Sequence, residues 1–277
     1  MSKQRRATKR IADAGAGLTI FAIAYLLFLY IPVLFLPVFS FNDSIFVAFP
    51  LRGFTTKWYE QMFADQDMLD ALVASLQVGG VVAVVSTILG LLGAKAVTRY
   101  RMPGQGAVTG MIMLPLFIPE IILGISLLIL INAFEIRLSL ITVAIGHVML
   151  CTPFAMAVLT SRLDGFDRSL EEASMDLGES PWMTFWRVTF PLAAPGIVSS
   201  LLLTFIVSFD EFLLSFFLAG LQPTLPVYIW SQLRFPAKLP GVLSLGALIL
   251  ITSCVLVFFA EWVRQLGTSG ERKVGVA

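Results

Sequence analysis

Six apolar runs, at residues 15–40, 71–97, 107–132, 138–161, 192–220 and 242–263, alternate with shorter polar intervals along the chain. A helix crossing the hydrocarbon of a bilayer needs roughly 20 apolar residues. Each run reaches that length, so the pattern predicts an all-α membrane protein with six transmembrane helices. The third and fourth runs are separated only by Ala133–Arg137, which predicts a tight helical hairpin. Residues 15–265 then form a single transmembrane domain, with tails at 1–14 and 266–277.

Arginine and lysine set the orientation, because they gather on the cytoplasmic side of short loops. With both termini inside, Lys3, Arg5, Arg6, Lys9, Arg10, Lys95, Arg99, Arg101, Arg162, Arg168, Arg187, Arg264, Arg272 and Lys273 all lie inside. Only Arg52, Lys57, Arg137, Arg234 and Lys238 fall outside. The even number of spans agrees with cytoplasmic termini. In the first outside segment, 42–70, Thr56 is expected to cap a short helix whose apolar face is Trp58, Tyr59, Met62 and Phe63. That face suits an interfacial anchor or a partner. In the last outside segment, prolines at 223, 226, 236 and 240 leave room for one short helix near Val227–Leu233.

Composition strengthens this reading. The apolar fraction is 57% and only 13% of residues are charged, against roughly 25% in soluble domains; mean hydropathy is +0.88. Cys151 and Cys254 sit inside apolar runs, so they are expected to be small buried side chains and not a disulfide or metal pair. The basic start followed by an apolar run has the look of a signal peptide. That run continues to Phe41, past the roughly 7–15 residues of a signal core, so it is expected to remain as an anchor. Gly79, Gly80, Gly90 and Gly93 in the second run are read as packing positions, where small residues let backbones approach.

The interval from Arg162 to Pro191 is the longest polar stretch of the second half. Ser169 followed by Glu172 fits a capping box. Leu170, Ala173 and Leu177 then share a helical face, Gly178 is placed to stop the helix, and Ser180-Pro181 restarts one. Trp182, Phe185 and Trp186 recur at helical spacing before Pro191 opens the fifth run. A short helix with small side chains and a glycine stop suits insertion into a groove of another protein.

Glu172-Ala173-Ser174, Gly178, Val188 and Phe190-Pro191 resemble the signature of permease subunits of binding-protein-dependent ABC importers: Glu-Ala-Ala, three residues, Gly, nine residues, Ile, one residue, Leu-Pro. Ser174, Val188 and Phe190 depart mildly from it. The resemblance implies the type I ABC importer permease fold, with residues 169–190 as a coupling helix–turn–helix. Glu172, Ala173, Ser174, Gly178 and Pro191 are its expected ATPase-coupling positions. It also implies a second permease, similar or identical, two ATP-binding subunits, an extracytoplasmic substrate-binding protein and a place in the bacterial inner membrane, with no nucleic-acid partner. No Gly-x-x-x-x-Gly-Lys-Ser/Thr loop occurs, since Ala94 separates Gly93 from Lys95. ATP and magnesium are therefore expected on the partner ATPase, with no cofactor, metal or catalytic residue on this chain.

Three carboxylates, Glu120, Asp210 and Glu211, interrupt apolar runs. An intramembrane acid costs roughly 2.5–3.5 kcal/mol on insertion scales and usually faces protein or a watery path. Counting about 1.5 Å per residue puts Glu120 roughly 18–20 Å across and the other two roughly 27 Å across, which allows convergence. Ser200, Thr204, Ser208, Glu211 and Ser215 share one helical face, read as a polar groove with Asp210 about 100° around the helix. Pro115 and Pro119 free carbonyls beside Glu120. With no Lys or Arg close in sequence, a cationic substrate would supply the missing charge; structural pairing of the acids is the alternative. His147, the single histidine, is read mainly as a packing group. Glu120, Asp210, Glu211, Ser208 and Thr204 are the expected substrate-pathway residues.

Phe209-Asp210-Glu211-Phe212, Pro119-Glu120, Arg168 to Gly178 and Thr224-Leu225-Pro226 resemble the spermidine/putrescine branch of these permeases. The implied substrate is a polyamine. Related branches carry opines, thiamine, phosphonates or ferric iron. A proton-coupled secondary transporter using the three acids as a relay is the rival class, and no nucleophile–base pair suggests an intramembrane enzyme.

Overall fold

The computed structural model describes residues 2–100 and 103–271. In chain order the helices are α1 (Ser2–Ser40), α2 (Lys57–Ala64), α3 (Gln66–Arg99), α4 (Gln105–Met113), α5 (Glu120–Ala133), α6 (Leu140–Asp164), α7 (Ser169–Asp176), α8 (Pro181–Thr184), α9 (Phe190–Asp210), α10 (Leu213–Leu218), α11 (Leu225–Gln232) and α12 (Leu239–Glu271). The described residues contain no strand; the one extended pairing is an isolated bridge between Asn42 and Phe54. The chain divides into two compact units, one built from the chain up to Asp65 together with Gln232 onward, the other from Gln66 to Ser231.

In the first unit α12 packs against both α1 and α2. The turn between α1 and α2 is tied to Asn42. Its Oδ1 accepts from the Arg52 amide at 2.8 Å, and its carbonyl accepts from Trp58 Nε1 at 2.9 Å. Thr56 does not cap α2. The Thr55 hydroxyl, one residue earlier, accepts from the Lys57 amide at 3.2 Å. Of the expected apolar face, Trp58 and Met62 are buried whereas Phe63 is exposed. Cys254, expected to be buried, is also exposed, while Cys151 is buried.

The second unit is organised on α3, α6 and α9, which pack mutually. Val78, Val82, Val143, Leu150, Leu214 and Leu218 form the heart of one apolar cluster, and Ala94, Met156, Leu159, Leu163 and Ala193 form another. Glycine sets the α3–α6 distance: a β-carbon on Gly90 would lie 2.6 Å from Cβ of Ala155. The α5–α6 hairpin forms as its short connection predicts, and Ser139 opens α6 in a reciprocal capping box with Thr142.

Among the described residues five helices are long and apolar enough to cross a membrane: Gly17–Ser40, Gln66–Arg99, Leu140–Asp164, Pro181–Asp210 and Pro236–Val255. The third apolar run is not one straight helix. Gln105–Leu116 and Glu120–Ala133 meet at a bend of 100°, and they make a sixth span only if the bent pair is counted as one. Pro115 and Pro119 explain the break. Proline donates no hydrogen bond, and the residue before it is steered out of the helical region. Leu114–Leu116 tightens to a 3₁₀ turn, and the carbonyl of Pro119 then restarts α5 by accepting from Ile122 and Leu123. The fifth run also breaks, at Glu211 and Phe212, between α9 and α10.

Gly90→Ala is expected to push α3 from α6 and lower stability by about 1–3 kcal/mol, the usual cost of overpacking. Gly80→Ala, with no heavy atom within 4 Å of the added carbon, is expected to be tolerated. Thermal unfolding of the detergent-solubilised chain measures both.

Candidate functional site

The segment between α6 and α9 folds into the expected helix–turn–helix, with one change at its start. Ser169 is not the cap of α7. Arg168 occupies that position without a side-chain bond, and Asp167 Oδ1 accepts from the Ser169 amide at 3.0 Å. An aspartate two residues upstream supplies an anionic acceptor that the serine hydroxyl does not match. The same bond, with help from the Ser169 hydroxyl, holds the exposed Asp167 carboxyl below its ordinary range. Gly178 ends α7 at φ +93°, a left-handed conformation open to glycine. Ser180 then caps α8, its Oγ accepting from the Met183 amide at 3.3 Å, with Pro181 at the first helical position. The helix passes into α9 through a π turn at Phe185–Thr189, in which Phe190 donates to the Phe185 carbonyl.

Glu172, Ala173, Gly178 and Pro191 are exposed. So are Leu170 and Leu177, the latter 88% exposed, and Trp182. Ser174 is half-buried, and its hydroxyl lies 3.1 Å from that of Thr184, tying α7 to α8. The residue missed from sequence is Glu171. Its Oε2 accepts from Arg99 Nε at 2.9 Å and its Oε1 accepts from the Thr189 hydroxyl at 2.6 Å. Arg99 closes a long apolar run and so needs a counter-charge, which is the signal that one of two adjacent acids turns inward. A pocket of about 290 Å³ lies beside this pair, lined among others by Lys95, Arg168, Glu172 and Met175.

The intramembrane acids separate. Glu211 is buried, and its Oε2 lies 3.1 Å from Nε2 of His147, a residue with no exposure at all. Its Oε1 accepts from the Leu214 amide at 2.9 Å and its Oε2 from the Ser215 amide at 3.1 Å, so the carboxylate also caps α10 across the helix break. His147 Nδ1 lies 2.8 Å from Ser208 Oγ, and Nε2 lies 3.1 Å from Ser215 Oγ. The imidazole thus bridges Ser208 on one ring nitrogen and Glu211 with Ser215 on the other. The stripe read as an open groove is a packed seam. Ser200, Thr204, Ser208 and Ser215 are all buried, Ser200 meets Thr87 at 3.0 Å, and Thr204 donates to the Ser200 carbonyl at 2.7 Å. The missing partner of Glu211 is thus His147, which spacing along the chain could not reveal. Asp210 and Glu120 are exposed. The structure brings Glu211, Ser208 and His147 together and leaves Asp210 and Glu120 outside that cluster. Among the described residues no group of three His, Cys, Asp or Glu side chains forms a metal site.

Residues 86–266, well over half of the chain, match the family described as binding-protein-dependent transport system inner membrane component. The spermidine/putrescine transport system permease protein PotC of Escherichia coli K12 is 34% identical over 251 residues, covering 90% of this chain and 94% of that protein. The chain belongs to this family. It is a multi-pass inner-membrane permease subunit of a binding-protein-dependent ABC importer. The putrescine transport system permease protein PotI of the same strain is 35% identical, covering 85% of this chain and 86% of that one. The fold recurs in a permease chain of a bacterial ABC transporter involved in import of the acidic polysaccharide alginate, with a TM-score of 0.69 and 16% identity, covering 96% and 98% of the two chains. It also recurs in the MetNI methionine ABC transporter in an inward-facing form, with a TM-score of 0.56 and 16% identity over 74% and 95%. The all-α type I permease fold expected from the sequence is therefore the fold of this chain.

Glu211→Ala is expected to leave His147 without its acid and α10 without its cap. Leaving a buried donor without its acceptor costs roughly 1–3 kcal/mol, whereas Asp210→Asn, at an exposed position, leaves stability near that of the parent. Denaturation of the solubilised chain followed by helix content distinguishes them.

Proposed function

We propose that this permease forms, with a second permease chain, the membrane path for a polyamine such as putrescine or spermidine in an ATP-driven importer. The observation that carries the substrate is the 34–35% identity, over most of the chain, to relatives named as spermidine/putrescine and putrescine permeases. A polyamine carries several ammonium groups. The exposed Asp210 and Glu120 offer negative charge to it within apolar segments, where charge pairing is strong. Glu211, Ser208 and Thr204 act behind the path: Glu211 and Ser208 hold His147, while Thr204 bonds within α9.

Energy enters from a separate pair of ATP-binding subunits, which hold ATP and magnesium. They dock on residues 169–190, where the exposed Leu170, Ala173 and Leu177 present an apolar face beside Glu172. An extracytoplasmic binding protein delivers the substrate. Six spans with both termini in the cytoplasm, the bent α4–α5 pair counting as one, put Arg99, Arg162 and the coupling segment on the ATPase side. Alternating access follows when ATPase closure moves that segment against the spans.

Uptake of labelled putrescine and spermidine into proteoliposomes holding the complete complex tests the substrate. Saturable uptake of either, uncompeted by thiamine, phosphonate or opine, is expected; ATP-independent uptake that follows a proton gradient would sink the whole reading. Asp210→Asn is expected to reduce polyamine uptake about ten-fold, a loss of roughly 1.4 kcal/mol of charge interaction, with the complex still assembled. Gly178→Asp, which puts a charged side chain at a left-handed position at the exposed end of α7, is expected to weaken ATPase copurification.

A further inference from the structure

Four helices meet around one ion pair. Glu171, on α7, takes Arg99 from the end of α3 on one carboxylate oxygen and Thr189 from the entry to α9 on the other. Arg99 continues the tie to the end of α6, donating from Nη2 to the Leu163 carbonyl at 3.1 Å and lying 4.7 Å from the Phe166 ring centroid. The side chains of Arg99 and Glu171 are only 8% and 12% exposed, and Thr189 is buried. Separating the pair would leave a nearly buried charge unpaired, which is costly.

The mechanics follow from the joints of α7. This helix has eight residues, too few to hold its shape or direction alone. Gly178 joins it to α8 on one side, and the 165–168 turn joins it to α6 on the other. A load on its exposed face would swing it about those joints unless its inner face resisted. The Ser174–Thr184 hydroxyl pair holds α7 only to the first turn of the Pro181–Asp210 helix. The Glu171 carboxylate is the contact that adds α3 to this hold, through Arg99, and meets the same long helix a second time at Thr189.

We infer that Glu171, Arg99 and Thr189 form a strut that carries movement of α7 into α3 and α9, so that the two neighbouring acids have different tasks. Glu172 faces outward to the docked subunit, and Glu171 anchors inward. This inference rests on residues 169–190 being the coupling segment. The three residues are positioning residues, acting on transport through the helices they join.

The test uses the complete complex in proteoliposomes, with labelled putrescine as the transported probe. Glu171→Gln, Thr189→Val and the charge exchange Arg99→Glu with Glu171→Arg are compared for copurified ATPase, binding-protein-stimulated ATP hydrolysis and uptake per ATP hydrolysed. Glu171→Gln and Thr189→Val are expected to retain the ATPase at the parent ratio while uptake per ATP falls about 5-fold or more, the lower end of ordinary coupling between sites. The charge exchange is expected to recover part of that loss. Unchanged uptake per ATP in Glu171→Gln overturns the strut, as does a loss in all three variants that only tracks lost assembly. Gly178→Asp separates the underlying reading. If it docks the ATPase and transports as the parent does, the coupling segment is misassigned and the strut falls with it. If it loses docking while Glu171→Gln keeps full uptake per ATP, only the strut falls.

Discussion

A polar group inside a membrane-length helix has no water to turn to, and this constraint shapes the second unit. Its strongest expression is the Glu211–His147 contact. The carboxylate is buried where its charge would be costly alone, so it draws on an imidazole from α6 and on two amides of α10. Those amides are available because α9 has just ended at Asp210. The break in the fifth apolar run and the buried acid are thus one feature. The helix stops, the freed N–H groups need an acceptor, and Glu211 supplies it. His147 then holds Ser208 on the preceding turn of α9, so the histidine clasps both sides of the break.

The same logic governs the other end of the bundle. Adjacent acids occur twice, at Glu171-Glu172 and at Asp210-Glu211, and in each pair one acid is taken inward while its neighbour stays exposed. On α7 successive residues are about 100° apart, and Glu211 follows α9 in an extended conformation, so neither pair serves a single face. The inward acid joins helices: Glu171 links α7 to α3, and Glu211 links the α9–α10 break to α6. The outward acid is free for another molecule. In the proposed importer Glu172 meets an ATPase and Asp210 meets a cation. Arg162 reinforces this end by donating to the Leu192 carbonyl from both Nε and Nη2, at 3.1 and 2.9 Å, which pins the start of α9 to the end of α6.

Glycine and proline determine where these helices come together and where they part. Gly90 lets α3 lie against α6 at a distance no β-carbon permits, and Gly220, at φ +65°, passes close to the Leu138 carbonyl at the α5–α6 hairpin. Pro115 and Pro119 turn the third apolar run through 100° and leave Glu120 at the opening of α5. The 169–190 segment keeps its outline because Gly178 and Ser180-Pro181 impose a stop and a restart through local chemistry alone.

Features governed by local chemistry or by bulk transfer energy were legible in the sequence. The apolar runs, the α5–α6 hairpin, the Gly178 stop and the Ser180 cap each depend on residues within a few positions of one another. The family signature also lies within a single stretch of twenty residues. What lay beyond reach were choices among partners distant in the chain. Nothing in spacing pairs Glu211 with His147, 64 positions away, or prefers Glu171 over Glu172 for Arg99, 72 positions away. The serine and threonine stripe on α9 was correctly placed on one face, but periodicity cannot say whether a polar face meets water or another helix. Burial against α3 and α6 decided that, because only tertiary packing sets which side of a helix loses its water and which charge must then be answered.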